Sequence, residues 1–125
     1  MMKSSMKHAA TVLVVEDEGL VRVDAAETLR DAGFTVLEAA NAEQALAVVV
    51  RGTDLDVLFT DINMPGRMDG LELARRVSRL RPNIHLLLTS GKARPARGQI
   101  PAAGAFIPKP YSPTAMTDAV SRMLA

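Results

Sequence analysis

The chain contains no cysteine and no tryptophan, and none of its apolar stretches is long. Without cysteine there is no disulfide, no thiolate metal site and no redox chemistry. No stretch approaches the roughly 18 consecutive apolar residues that a membrane span needs, so no membrane partner is expected. A net charge of only +1 over 125 residues gives no reason to expect a nucleic-acid partner either. Met1 to Ala10 carries two lysines and no apolar core of useful length, which reads as a flexible leader rather than a signal peptide. Nothing points outside the cell, so a cytoplasmic location is expected. Internal repeats and low-complexity linkers are also missing, which leaves one domain over residues 11–125, large enough to bury a core.

What is present is an alternation of two patterns. Thr11–Val15 is a short, β-branched apolar run of the kind found in strands covered on both faces. From Gly19 the period changes. Val21, Ala25, Leu29 and Ala32 recur every three or four residues, with Arg22, Asp24, Glu27 and Arg30 on the other side and Gly33 placed as a C-terminal glycine. Thr35–Ala39 reads as a second strand. Asn41 with Gln44 fits a capping box opening a helix through Val50. Asp56–Thr60 is a third strand. Asp69 with Glu72 repeats the capping arrangement before a helix lined by Leu71, Ala74, Val77 and Leu80 that ends before Pro82. Ile84–Thr89 and Ala105–Ile107 complete the strands, and Ser112-Pro113 opens a last helix with Met116, Val120 and Met123 on its apolar stripe. The segment Gly91–Gly104 should hold a helix, but Pro95, Gly98 and Pro101 leave at most a turn or two, with much of it mobile.

This order predicts an α/β fold, a doubly wound parallel sheet with helices on both faces. Ligand sites in such sheets lie outside the carboxyl ends of the strands. Glu16, Asp17, Asp61, Ser90 and Lys109 all fall at those ends. Asp61 is the most informative of them, because a carboxylate where an apolar run meets a Pro-Gly turn is unfavourable unless something compensates its charge. Three carboxylates of hard oxygen donors suit Mg²⁺, with Mn²⁺ an alternative, and a backbone carbonyl just past Asp61, that of Asn63, completes the protein's share. The metal lets the carboxylates share a small space that would otherwise force one to hold a proton. A metal, the Lys109 ammonium and the Ser90 hydroxyl around Asp61 are the parts that stabilise a phosphoryl group in transfer, with Asp61 as nucleophile.

Five segments in order, Val-Val-Glu-Asp-Glu at 14–18, Phe-Thr-Asp-Ile-Asn-Met-Pro at 59–65, Met-Asp-Gly-Leu-Glu-Leu-Ala at 68–74, Thr-Ser-Gly at 89–91 and Phe-Ile-Pro-Lys-Pro-Tyr at 106–111, make the chain resemble the receiver domains of two-component response regulators. The resemblance implies a flavodoxin-like five-stranded sheet in the order 2-1-3-4-5, while the proline-rich stretch makes its fourth helix short or irregular. It implies that Asp61 accepts a phosphoryl group from a histidine kinase or histidine phosphotransfer protein. It further implies that Glu16 and Asp17 are the acidic metal pair, Asn63 the carbonyl ligand and Lys109 the ion-pairing lysine. Lys109-Pro110 matches the family's cis peptide. Counting along the fourth strand puts Ser90, not Thr89, at the switch hydroxyl, and Phe106 at the switch aromatic. Two departures stand out. The loop after Asp61 is one residue longer, with Arg67 as the extra, and the stretch between Ser90 and Lys109 is short and proline-rich.

Plainer readings stand beside these. Glu16 to Glu18 taken alone is an acidic first turn, the Asn63 side chain has no assigned task, and Phe106 alone is a core residue. His8 and His85 have no second ligand nearby and are read as structural or solvated. Arg75, Arg76, Arg79, Arg81, Arg94 and Arg97 form a basic region whose default reading is a solvated face. The expected function is a stand-alone, phosphorylation-controlled receiver working through protein contacts or a phosphorelay toward an unidentified downstream protein target. Its catalysis is limited to its own phosphorylation and slow hydrolysis. The initial Met and complete last helix favour a free-standing protein. The rival readings are a receiver excised from a hybrid kinase or regulator, a phosphorylation-independent binding module, and a Mg²⁺-dependent phosphatase, whose usual second acid would sit where Asn63 stands.

Overall fold

In the computed structural model, residues 9–92, 94–96 and 98–125 are described. The expected leader falls mostly on residues 1–8, which with His8 and Arg97 lie outside the described residues. Ala10 already belongs to the sheet's entry, since its carbonyl accepts from the Thr35 amide at 2.9 Å.

Five parallel strands form one sheet in the order β2-β1-β3-β4-β5: β1 Thr11–Val15, β2 Thr35–Ala39, β3 Val57–Asp61, β4 His85–Ser90 and β5 Ala105–Pro108. The helices are α1 Gly19–Asp31, α2 Ala42–Val50, α3 Gly70–Leu80 and α4 Pro113–Leu124. The doubly wound sheet and its order are as expected. Several strand boundaries are shifted by one residue. Strand β3 starts and ends one residue later than expected, at Val57 and Asp61, although the Asp56 amide and carbonyl still bond to Thr11 and His85 at 2.9 Å. Strand β4 likewise starts at His85 and runs through Ser90, and β5 runs one residue further, through Pro108.

Strand alternation divides the core in two. Leu13, Leu58, Leu86 and Leu88 face Ala45 and Val49 of α2 and Leu73, Ala74 and Val77 of α3. Val12, Val14, Phe59 and Leu87 face Ala25, Ala26 and Leu29 of α1 and Met116 and Val120 of α4. Each fully buried leucine here contributes about 2 kcal/mol by area removed from water. Two expected core positions fall outside. Leu80 is 55% exposed at the end of α3, and Ala32 is exposed because it is the C-cap of α1, its place in the core taken by Ala26.

The caps follow the sequence closely. Asn41 accepts from the Gln44 amide at 2.8 Å while the Gln44 side chain returns to the Ala40 amide at 2.8 Å. Asp69 accepts from the Glu72 amide at 2.9 Å, but the Glu72 side chain turns to arginines rather than closing the box. Between β4 and β5 no helix forms among the described residues, in keeping with the short or irregular segment expected there. Turns closed by Gln99 onto Ala96 (3.1 Å) and Gly104 onto Pro101 (2.9 Å) stand in its place, and Ile100 packs on the α2–α3 side of the core.

Gly70 sets how closely α3 approaches the strand ends. Its amide donates to the Ile62 carbonyl at 2.9 Å, and a Cβ there would lie 2.0 Å from the Asp61 carbonyl oxygen. Backbone, not a flexible side chain, stands in the way. Gly70→Ala is therefore expected to lower stability by roughly 2–3 kcal/mol, the cost of overpacking against rigid neighbours. Gly33→Ala, at a positive φ of 101° with open space around it, should cost less. Urea denaturation of both variants checks the ranking, and a Gly70→Ala protein as stable as the parent would refute the close-approach argument.

Candidate functional site

The site lies at the carboxyl edge of the sheet between β1 and β3, where strand order reverses. Parallel pairing of Val15 with Thr60 brings Glu16, Asp17 and Asp61 to one corner, where one oxygen from each carboxylate lies within 4.8 Å of the others. Glu16 and Asp61 are 5% and 6% exposed, whereas Asp17 is open to solvent.

Lys109, just past β5, compensates the buried charge. Its Nζ sits 2.8 Å from Glu16 Oε1 and 3.3 Å from Asp61 Oδ2. Its own amide donates to the Ser90 carbonyl at 2.9 Å, and the Lys109–Pro110 peptide is cis, as expected. Burial pushes the Glu16 carboxyl above the usual carboxylate range. The Lys109 hydrogen bond and the Glu18 amide oppose that shift and the Asp61 charge adds to it. For Lys109, burial works against the charged form. The Glu16 hydrogen bond and the charges of Asp61 and Glu16 outweigh it and hold the ammonium above its ordinary range. Tyr111, packed edge-on against Phe59 at 5.6 Å, has its phenol raised mainly by burial.

Ser90 and Asn63 meet in a way the sequence does not indicate. The Ser90 hydroxyl donates to the Asn63 side-chain oxygen and accepts from the Lys92 amide at 3.0 Å. The Asn63 amide donates to Asp61 Oδ1 at 3.3 Å. The Asn63 side chain is thus engaged, where only its carbonyl was expected to matter. Leu88 pairs with Phe106, and alternation places Ser90 on the same sheet face as that pair. Thr89 points to the other face, where its buried hydroxyl has no hydrogen-bond partner among the described residues. Phe106 is half-buried against the α2–α3 core with the Arg94 guanidinium 5.0 Å above its ring.

Three contributors are not apparent from the sequence. Arg22, on the polar side of α1, folds back so that its guanidinium donates to the Glu16 carbonyl at 2.9 Å and pairs with Glu38 at 3.3 Å. Gly70 stands out in the sequence only as part of a motif. Thr89 reads as a plain strand residue, yet it helps line the void behind Glu16 and Asp61. That void measures about 10 Å³, close to the minimum for one water. A ligand must therefore reach Asp61 from the outer side. There Asp17 and Lys109 flank it, and the donor set of Glu16, Asp17 and Asp61 is all hard oxygen, which fits Mg²⁺.

Residues 12–121 match the family model of the response regulator receiver domain. The chain is 36% identical over 97% of its length to the sensor kinase CckA of Brucella abortus, of which it covers 13%. It is 35% identical over 94% of its length to the C4-dicarboxylate transport regulator DctD of Rhizobium meliloti, covering 26% of that protein. These curated relatives are therefore several times longer than the chain. Among solved structures, the receiver domain of the hybrid histidine kinase CckA matches with a TM-score of 0.81 at 32% identity, covering 93% of this chain and all of that one. A response regulator receiver protein from Sinorhizobium medicae matches with a TM-score of 0.86 at 30% identity, covering 93% of this chain and 94% of that one. Among the described residues, no helix is long and apolar enough to cross a membrane.

The raised Glu16 carboxyl fixes a sign. A carboxyl that ionises later in the folded chain than in the unfolded one favours folding at low pH, and that contribution is lost as pH rises through the raised value. Mg²⁺ needs the ionised form, so its stabilisation runs the opposite way. The rise in Tm on adding Mg²⁺ is expected to be largest at neutral pH and to shrink as pH falls through the Glu16 value. Most of it should vanish in Asp61→Asn. Thermal melts with and without Mg²⁺ across that range check this, and equal increments at all pH values or in the variant would exclude the site.

Proposed function

The chain belongs to the family of response regulator receiver domains of two-component systems, and from that premise we propose that Asp61 accepts a phosphoryl group from a histidine kinase or histidine phosphotransfer protein. The domain at residues 11–125 then acts as a phosphorylation-controlled module, through protein contacts or by passing the group along a relay. The observation that carries this reading is the Lys109 ammonium held between Glu16 and Asp61 in a corner closed from behind.

An Asp61 carboxylate oxygen attacks the phosphorus of the donor's phosphohistidine from the open side. The new P–O bond forms as the P–N bond breaks, the electron pair leaves with the imidazole, and an acyl phosphate remains on Asp61. Lys109 balances the charge on the transferring group, and Ser90 offers its hydroxyl to a phosphoryl oxygen once it leaves Asn63. Glu16 and Asp17, with Asp61 and the Asn63 carbonyl, would hold Mg²⁺, which when bound neutralises further charge on the phosphoryl oxygens. Arg22 acts behind them by fixing the Glu16 backbone. A phosphatase acting on small substrates would need a proton donor where Asn63 stands, and an amide has none to give.

Access for a protein donor is provided by α1. Leu20 is 89% exposed, and with Val21, Pro110 and Tyr111 it bounds a hollow of about 550 Å³ whose rim includes Lys109. An exposed leucine beside a reacting carboxylate suits a docking contact for the helix that presents the donor histidine. Release of Ser90 from Asn63 would reach the segment after β4 at once, through the Lys92 amide and the Arg94 stack on Phe106. Phosphorylation is thus expected to bias an existing equilibrium in that segment toward an ordered form.

Two measurements test the proposal. Intact-mass analysis after incubation with a small phosphodonor and Mg²⁺ should show one added phosphoryl group, absent with chelator and absent in Asp61→Asn. Leu20→Glu should keep that reaction and slow transfer from a phosphorylated histidine phosphotransfer protein by about tenfold or more, as expected for a central apolar contact. No phosphoryl gain from any donor would overturn the reading. Amide exchange across 91–104 should slow on phosphorylation, and strong protection in both states would sink the ordering step.

A further inference from the structure

Helix α3 carries more positive charge than its own structure uses. Among the described residues, Glu72 is the single carboxylate paired with Arg75, Arg76 and Arg79, at 3.6, 2.9 and 4.0 Å. Arg75 and Arg79 stand four residues apart on one helix face, a like-charge spacing that is unfavourable by itself. Arg81 does not share in this surface, contrary to the basic region read from the sequence. Its guanidinium turns inward to the Thr53 carbonyl at 2.6 Å and the Val49 carbonyl at 3.4 Å, closing the end of α2. Among the described residues, Arg75 has only the Gln99 carbonyl, at 3.5 Å, beyond its share of Glu72.

These arginines border a groove. Where a helix between β4 and β5 would have packed, the chain runs through Gly98, Gln99, Pro101 and Ala102 and leaves a hollow of about 310 Å³ against Arg75, Ser78 and Arg79. Ser78 and Ala102 also line a neighbouring hollow of about 300 Å³, bounded by Pro82, Asn83, Ile84, His85 and Leu86. The first hollow is cationic, and the second mixes polar and apolar groups.

We propose that this groove docks an acidic segment of a partner protein, its carboxylates on Arg75 and Arg79 and its apolar side chains along Pro101 and Ala102. A peptide fits better than nucleic acid, since the cationic hollow is lined by no aromatic side chain on which a base could stack. A carboxylate entering the groove displaces the marginal Arg75–Gln99 contact with a charge-assisted, bidentate one. The lining residues do not include any of the strand-end site, so the inference stands apart from the phosphorylation reading.

The test is fluorescence anisotropy of a fluorescein-labelled ten-residue peptide carrying five glutamates, titrated with the full chain at low salt. Saturable binding is expected, weakened roughly tenfold or more in Arg75→Glu/Arg79→Glu, with Arg76→Ala close to the parent. Ala102→Trp, which fills the groove without changing charge, should weaken binding comparably. Circular dichroism melts establish that each variant is folded. Absence of binding up to millimolar protein overturns the proposal, as does loss in the charge reversal with retention in Ala102→Trp, which means a diffuse charged surface. Tighter binding of a single-stranded oligonucleotide of equal charge overturns it in favour of nucleic acid.

Discussion

One ammonium group makes the strand-end corner possible. Glu16 and Asp61 are nearly buried and close together, and two such carboxylates repel each other and lose hydration. Lys109 reaches both, and it can only do so if β5 lies beside β4 in register, since its amide is held by the Ser90 carbonyl. The ion pairs thus link β1, β3 and β5 across the whole width of the site. Their value to folding is modest, because desolvation offsets much of the attraction. Their value to chemistry is that a positive charge is already in place on the open side of Asp61.

Pre-organisation here depends on backbone as much as on charge. The Asp61 carbonyl lies so close to α3 that only glycine fits at position 70. Residues 62–69 must therefore loop out and return within a fixed distance. Met64 and Met68 are buried and anchor that loop, while Pro65, Gly66 and Arg67 bulge into solvent. That solvent-facing bulge disturbs neither the Asn63 backbone amide on Asp61 nor the Gly70 amide on Ile62.

Most of the architecture was legible because periodicity, caps and strand-end charges agree along the chain. The three carboxylates, Lys109 and Ser90 were placed correctly at one edge because parallel α/β topology puts every strand's carboxyl end there. What was not legible depends on side-chain reach. A helical wheel puts Arg22 on a polar face, but a long side chain can fold back over its own N-terminus to a carbonyl. Arg81 looked like another surface charge because sequence does not reveal the open carbonyls at the end of α2. Nor could a count along the chain show that the Asn63 and Ser90 side chains, 27 residues apart, would bond to each other. Strand boundaries slipped by one residue because an apolar run marks the middle of a strand better than its ends.

Between β4 and β5 the local sequence opposes a helix that the topology would accept. Pro95 and Pro101 remove donors, Gly98 takes a φ of 89° and Ala103 one of 71°, and among the described residues of its middle Ile100 alone reaches the core. Gly104 is needed where the chain turns back, since a Cβ there would meet the Ile100 side chain at 2.7 Å. The described residues of the stretch make a few polar contacts: the Ser90 hydroxyl at its start, and the Arg94–Phe106 stack and the Gln99–Arg75 bond further along. Each of these is weaker than a packed helix face, and Ser90 and Arg75 each have a competing partner. A segment anchored this way responds to whatever takes Ser90 or Arg75 from it, whereas a helix with a full apolar stripe would resist both.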